Sequence, residues 1–326
     1  MSIVIIKPGL FTTIQDEGRK GFQHLGINPT GAMDTCAMQT ANALVLNDVS
    51  EAVVEFYFPG PVLQFTQPAF IALSGADFSA ETNGIIIPIN QPVFIPANTV
   101  LQFRAKKWGQ VAYLSVQGGF DLSEWLDSYS TNVKAAVGGF EGRILKQGDN
   151  IELNLKNTSG SNSKDCSVMP WKASVKQFYH VNGLRFIPGH EFEHLTNASQ
   201  EIFSTADFSI LPQSDRMGYR LQGPTLELAN KKEMISTAVT KGTIQLLPSG
   251  RCIILMADHQ TTGGYPRIAH IISADLSTLA QKGSNDTVQL RSTSIEEAEK
   301  LLILQTQHLH QLTNACILQL DAFHRH

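Results

Sequence analysis

Residues 252–265 read Cys252-Ile-Ile-Leu-Met-Ala-Asp-His-Gln-Thr-Thr-Gly-Gly-Tyr265. Six apolar residues are followed by an acid, an imidazole, an amide, two hydroxyls and a glycine pair. A run of that length bounded by turn residues predicts a buried strand. The polar, Gly-rich end is a place where main-chain N–H groups can face a ligand, or else a plain hairpin loop. A second apolar run, ending Gln117-Gly-Gly-Phe120, has the same outline in the first half of the chain. Gly60-Pro-Val-Leu-Gln-Phe65 is echoed by Gly223-Pro-Thr-Leu-Glu-Leu228, and Lys146-Gln-Gly-Asp149 by Gln281-Lys-Gly-Ser-Asn-Asp286. Three matches in one order predict a duplicated β unit.

Outward from these echoes, most of the chain reads as short strands. Predicted strands are Ile3–Lys7, Val53–Phe58, Ala69–Ser74, Gly84–Ile89, Val100–Arg104, Val111–Val116 and Ile151–Leu155. Leu184–Ile187, Thr243–Leu247, Cys252–Ala257 and Ile268–Ile272 follow. Helical spacing marks Asp34–Asn47, with Asp34 placed to cap it, and a short helix from Asp275 to Gln281. The capping box Ser294-Ile-Glu-Glu297 opens a C-terminal helix. Its stripe Ile295, Leu302, Leu309 and Cys316 is expected to lie on the chain's own barrel, the alternative being a partner helix. Lys156–Ser174 is polar and aperiodic and reads as a linker or long loop. The expected division is an N-terminal β lobe over 1–160, a linker over 161–183, a C-terminal β lobe over 184–292 and a helix over 293–326.

Composition narrows the class. The 326 residues carry 25 Lys+Arg against 29 Asp+Glu, for a net charge of −4. Charged residues make up 17% and hydrophobic residues 42%, where an average soluble domain has about 25% charged. Such a chain is not disordered. With no basic block it is a poor partner for nucleic acid. No apolar run approaches the roughly 20 residues of a membrane-spanning helix. The start, Met-Ser-Ile-Val-Ile-Ile-Lys, lacks the basic region and cleavage site of a signal peptide. Cys36, Cys166, Cys252 and Cys316 are widely spaced and form no Cys-x-x-Cys, as in a reduced cytoplasmic protein.

Several segments carry possible chemistry, each with a structural alternative. Asp215-Arg-Met-Gly-Tyr-Arg220 sets two guanidiniums beside a carboxylate and a phenol, suited to an anion or to an internal salt bridge with Asp215. In Asp258–Arg267, His259 is a possible general base. Gly138-Gly-Phe-Glu-Gly-Arg143 is a possible anion nest backed by Arg143, without the Gly-Lys-Ser/Thr ending of a P-loop. Gln15-Asp-Glu-Gly-Arg19 and Thr30-Gly-Ala-Met-Asp34 lie near the start. His190-Glu-Phe-Glu-His194 fits the H-E-x-x-H pattern of zinc sites. It follows a strand and a Pro-Gly turn and has no third ligand nearby, so no metal is expected.

These motifs resemble the KipA-like family, also called allophanate hydrolase subunit 2 or the biotin-dependent carboxyltransferase family. The resemblance rests on Lys7-Pro-Gly-Leu, Thr12-Thr-Ile-Gln-Asp16, Gly21-Phe-Gln-His-Leu-Gly26, Gly31-Ala-Met-Asp34, Ser74-Gly-Ala-Asp77 and Gly138–Arg143. In the second half it rests on Ser214-Asp-Arg-Met-Gly-Tyr-Arg-Leu221, Gly242-Thr-Ile-Gln245, Gln260–Pro266 and Ile272-Ser-Ala-Asp275. It covers roughly residues 1–292. Ser128-Tyr-Ser-Thr131 departs from the family's Ser-Arg-Ser-Thr.

The resemblance implies a mainly β fold of two cyclophilin-like β-barrel lobes with a few short helices. It implies one component of an ATP-dependent 5-oxoprolinase complex that converts 5-oxo-L-proline to L-glutamate and is active only when assembled. ATP would be held by the complex, and biotin is not expected on this chain. A KipI-like protein (the B component of 5-oxoprolinase) and an A component would be partners, with a small anionic substrate. The alternatives are a carboxyltransferase of a urea-amidolyase-like system and a non-enzymatic KipA-type regulator that binds a KipI-like protein. In this reading Arg216 and Arg220 clamp a carboxylate or phosphate. Gln260, Thr261, Thr262, Gly263 and Gly264 orient substrate or stabilise an oxyanion. Asp215, Tyr219 and Tyr265 handle protons, and Arg19, Asp34 and Arg143 are further substrate-binding candidates.

Overall fold

The computed structural model describes residues 2–154, 165–179, 183–230 and 234–324. Residues 156–164 of the predicted Lys156–Ser174 linker lie outside the described residues. The chain divides into two compact units. The first comprises Met1–Arg19, Thr30–Val175 and Gln307–His326, and the second Lys20–Pro29 and Lys176–Thr306.

The first unit carries β1 (Ser2–Lys7), β2 (Thr12–Gln15), α1 (Thr35–Leu44), β3 (Val53–Tyr57), β4 (Val62–Phe65), β5 (Ala69–Asp77) and β6 (Ala80–Thr82). β7 (Ile85–Ile86), β8 (Pro92–Ile95), β9 (Thr99–Phe103), β10 (Trp108–Val116), β11 (Asn150–Glu152) and β12 (Ser167–Val168) complete its strands. They form two six-stranded sheets, β11-β1-β4-β9-β6-β7 and β12-β8-β5-β10-β3-β2. Ile3, Leu63 and Leu101 of one sheet share a buried core with Val54, Ile71 and Leu114 of the other. This unit is therefore a sandwich, where a barrel was expected. Side chains alternate along β5: Ile71 and Leu73 enter that core, while Ala72 between them meets Leu44 and Val45 at the end of α1. Asp34 caps α1 as predicted, its Oδ1 accepting from the Ala37 N–H at 3.0 Å.

The second unit carries β13 (Leu184–Pro188), α2 (Asn197–Thr205), β14 (Asp207–Ile210), β15 (Gly218–Gln222), β16 (Thr237–Ala238), β17 (Thr243–Leu246), β18 (Cys252–Leu255), β19 (Thr262–Gly263), β20 (Arg267–Ile271), α3 (Leu276–Ala280) and β21 (Thr287–Ser292). Seven strands close a barrel in the order β13-β20-β17-β18-β15-β14-β21. β16 and β19 pair separately as a short ribbon. Inward Phe186, Ile210, Leu221, Ile244 and Ile254 fill the barrel. Asp275 precedes α3 but does not cap it, because its carboxylate accepts from the main chain and guanidinium of Arg185.

Two of the three sequence echoes are strand-and-turn matches. Before β11, Asp149 accepts the Lys146 N–H at 2.7 Å, while Ile5 exchanges main-chain bonds with Gly148 and Asp149. Before β21, Asp286 accepts the Gly283 N–H at 2.7 Å, while Ile210 exchanges the same bonds with Asn285 and Asp286. The runs before Gln117 and Asp258 are strands β10 and β18. The remaining echo fails: 62–65 form β4, whereas 223–228 are irregular, with one bridge from Leu228 to Leu195.

The C-terminal helix α4 (Ile295–His324) opens as predicted, with Ser294 accepting the Glu297 N–H. Its stripe does not lie on one surface. Ile295 and Leu302 are exposed, while Cys316 is buried with Leu44, Val45 and Ala72 of the first unit. No helix among the described residues is long and apolar enough to cross a membrane.

Candidate functional site

The loop that leaves β18 gathers polar groups of the second unit. The antiparallel ladder of β15 and β18 ends at Gly218 opposite Leu255. Main-chain bonds from Met256 N–H to Met217 O (3.0 Å) and from Asp258 N–H to Arg216 O (2.7 Å) extend it. That extension brings Arg216 alongside Asp258. Its Nε and Nη2 donate to the two carboxylate oxygens, each at 2.9 Å. Arg216 is only 7% exposed, so this forked pair is largely withdrawn from water and correspondingly strong.

Asn28, from the Lys20–Pro29 stretch that belongs to this unit, donates to the carbonyls of Asp258 (3.2 Å) and His259 (2.5 Å). His259 is buried, and its Nδ1 lies 2.6 Å from the Gln260 carbonyl. A carbonyl only accepts, so Nδ1 carries the proton and Nε2 keeps its lone pair. Burial pushes the His259 pKa down, with the Gln260 bond opposing it and nearby Lys241 adding to it. The ring is thus a neutral proton acceptor at pH 7.

Gln260 donates through Nε2 to Gln245 Oε1 at 3.4 Å. Gln245 is buried in β17, and its own Nε2 has no partner. That amide faces Gly263, where an added Cβ would come within 2.4 Å of Nε2. The glycine is needed here for close approach. An unpaired buried N–H costs about 1–3 kcal/mol, and such an atom is a reasonable mark of a site.

Of the predicted site residues, the structure brings Arg216, Gln260, Thr261, Thr262 and Gly263 into this neighbourhood. Asp215 is a turn residue whose Oδ1 accepts from the Met217 and Gly218 N–H groups, and the salt bridge of Arg216 goes to Asp258 instead. Tyr219 is inside the barrel, its hydroxyl 3.5 Å from the Ala280 carbonyl. Gly264 and Tyr265 line a different cavity of about 710 Å³ with Leu226, Met234 and Pro248. Arg220 points outward from β15.

Three candidates belong to the first unit and have structural partners. Arg19 is fully buried, donating to Trp125 O, Thr30 Oγ1 and Ser130 O and lying over the Trp125 ring. Asp34 caps α1. Arg143 holds Asp149 by two bonds and also pairs with Glu141. Arg143, offered as the backing of an anion nest, is thus already engaged with two carboxylates. A Cβ on Gly138 would fall 2.1 Å from Arg19 Nη2, so the glycine is there to admit the arginine.

The H-E-x-x-H segment holds no α-helix. Phe192–His194 is a single 3₁₀ turn. Glu191 is bonded to the Arg267 main chain and guanidinium; against the effect of burial, these hold its carboxyl below the usual range. No group of three or more potential metal ligands occurs among the described residues.

Sequence reading missed the roles of Asp258, Gln245 and Asn28. Gln245 had a signal, an amide inside an apolar strand. Asn28 had none, because its partners lie 230 and 231 positions away.

A family model described as "Carboxyltransferase domain, subdomain A and B" matches residues 25–292. The chain is 36% identical to the C component of 5-oxoprolinase from Escherichia coli (strain K12), over 94% of this chain and 96% of that one. It is also 36% identical to the C component of 5-oxoprolinase from Haemophilus influenzae, over 92% and 94% of the two chains. Among solved structures, the K. lactis urea amidolyase superposes with a TM-score of 0.87 at 27% identity, covering 95% of this chain and 20% of that one.

Proposed function

The chain belongs to the carboxyltransferase-domain family, and we propose that within it the protein is the C component of an ATP-dependent 5-oxoprolinase that opens 5-oxo-L-proline to L-glutamate. The observation that carries this reading is likeness over nearly the whole of both chains to two bacterial polypeptides of that name. The chemistry of the β18 loop is compatible with it. Lactam hydrolysis adds water to the ring carbonyl carbon, breaks the C–N bond and delivers a proton to nitrogen. His259 Nε2 suits acceptance of the proton from water. The Gln260 amide and the Thr262–Gly263 main chain suit the oxygen on which charge gathers. Gln245 orients Gln260, and the Arg216–Asp258 pair holds the start of the loop.

ATP belongs elsewhere in the assembly in this reading. The Gly138–Arg143 segment does not fit a phosphate, because Gly138 admits Arg19 and Arg143 already holds two carboxylates. A KipI-like B component and an A component supply the rest of a cytoplasmic complex. A second reading, carboxyl transfer from carboxybiotin carried by another protein, is favoured by the likeness to urea amidolyase.

The test is reconstitution with the two partner proteins. ATP-dependent glutamate release from 5-oxoproline that needs this chain supports the first reading. Incorporation of labelled bicarbonate with an avidin-reactive partner, without glutamate release, replaces it with the second. Tight partner binding with neither turnover makes the chain a KipA-type regulator.

A further inference from the structure

On the outer wall of the second unit's barrel is a cavity of about 570 Å³ lined in part by Arg220, Arg251, Gln213 and Ser249, with Leu211 and Leu247 as apolar wall. Strand register places the two arginines side by side. Arg220 is opposite Ile253, and Arg251 lies two residues before Ile253 on the same chain. Tyr219, Leu221, Cys252 and Ile254 are buried in the barrel, so Arg220 and Arg251 project from its outer face. Diagonal neighbours on one face are about 7–8 Å apart between their backbones, near enough for long side chains to converge.

Two like charges at that spacing repel each other. Neither guanidinium has a hydrogen-bond or ion-pair partner among the described residues. By contrast Arg104, Arg143, Arg185, Arg216 and Arg267 each hold a carboxylate. Gln213 and Ser249 also lack side-chain partners among the described residues, so four polar side chains face one concavity with unused donors. Its volume lies within the range of small-molecule sites, roughly 300–1,000 Å³.

The cavity is separate from the β18 loop. Arg251 precedes β18 and Asp258 follows it, and seven extended residues span roughly 20 Å. A molecule the size of one amino acid does not reach both.

We propose that Arg220 and Arg251 form a binding site for a small anion that presents two or more charged oxygens, of the phosphate or dicarboxylate class. Paired guanidinium forks suit such oxygens geometrically and relieve their mutual repulsion on binding.

The experiment is calorimetric titration of the full chain with inorganic phosphate and, separately, with glutarate, at fixed ionic strength in chloride. Saturable one-site binding is expected, weakened tenfold or more by Arg220→Gln and by Arg251→Gln. Response to phosphate alone assigns a phosphate ligand, and response to glutarate alone assigns a dicarboxylate. Arg251→Lys keeps the charge and loses the fork, and intermediate affinity is expected. Circular dichroism and Tm confirm folding, and without ligand the glutamine variants are expected to be no less stable than the parent. Absence of saturable binding to either probe, or unchanged affinity in both glutamine variants, overturns the proposal.

Discussion

Arg19 in the first unit and Arg216 in the second are both buried guanidiniums, held in different surroundings. Arg19 is enclosed by the carbonyls of Trp125 and Ser130, the Thr30 hydroxyl and an indole face. Beside it Asp16 accepts from the Ser128 and Ser130 hydroxyls and from the Tyr129 and Gly18 N–H groups. Those atoms are engaged with one another. Arg216 is engaged with Asp258, but the loop beyond has an unpartnered Gln245 amide, a His259 lone pair and the exposed Thr262. Burial of charge does not separate architecture from function here, and neither does an unsatisfied atom alone, since Gln15 Oε1 beside Asp16 also lacks a partner. The difference is that the open groups of the β18 loop adjoin the exposed Thr262.

The contrast can be broken most forcefully at Arg19. Arg19→Ala removes the core of a closed network, leaves a cavity and orphans its acceptors. The expected loss of stability is on the order of 4 kcal/mol. Urea denaturation measures it, and a loss under about 1 kcal/mol would make Arg19 a poor model of architecture.

Asp258→Ala comes next. It takes the carboxylate partner from the buried Arg216 guanidinium, with an expected loss of about 3 kcal/mol. The double variant Arg216→Leu/Asp258→Leu is expected to recover part of that stability, while the reconstituted complex loses activity. Recovery of stability and activity together would place the pair outside the site.

The smallest effect is on pH dependence. Burial lowers the pKa of both His259 and His270 from 6.5. The unfolded chain therefore binds more protons just below that value. Stability is present above about pH 6.5 and is lost as pH falls through the lowered folded-state values. Tm is expected to drop between about pH 7.5 and pH 5.5, and to drop less in His259→Gln/His270→Gln. An equal drop in both proteins assigns acid sensitivity to other groups.

The sequence made the β-branched strands legible. Ile3–Lys7, Val111–Val116 and Cys252–Ala257 all correspond to strands. Thr12–Gln15 did not look like one, because three of its four side chains are polar. It is fully buried all the same, with Thr12 bonded to the Pro8 carbonyl and Gln15 to Thr13 and Thr131. Sandwich and barrel were likewise indistinguishable, since closure depends on strand pairings between distant positions. The same limit hid the site. Asp215 was the adjacent carboxylate for Arg216, but the register of β15 against β18 delivered Asp258, 42 positions away. Local spacing encodes elements and caps; it carries no information about which distant partner a register selects.

Neither compact unit is a continuous stretch of chain. Residues 20–29 are completed by a unit that resumes only at Lys176, and the first unit takes up the chain again at Gln307. During synthesis at 5–20 residues per second, the ribosome needs on the order of ten seconds to pass from Pro29 to Lys176. Throughout that interval Asn28 lacks the Asp258 and His259 carbonyls to which it will donate. Such a protein cannot assemble one finished module at a time as it is made, and separately expressed halves would each lack part of their own unit.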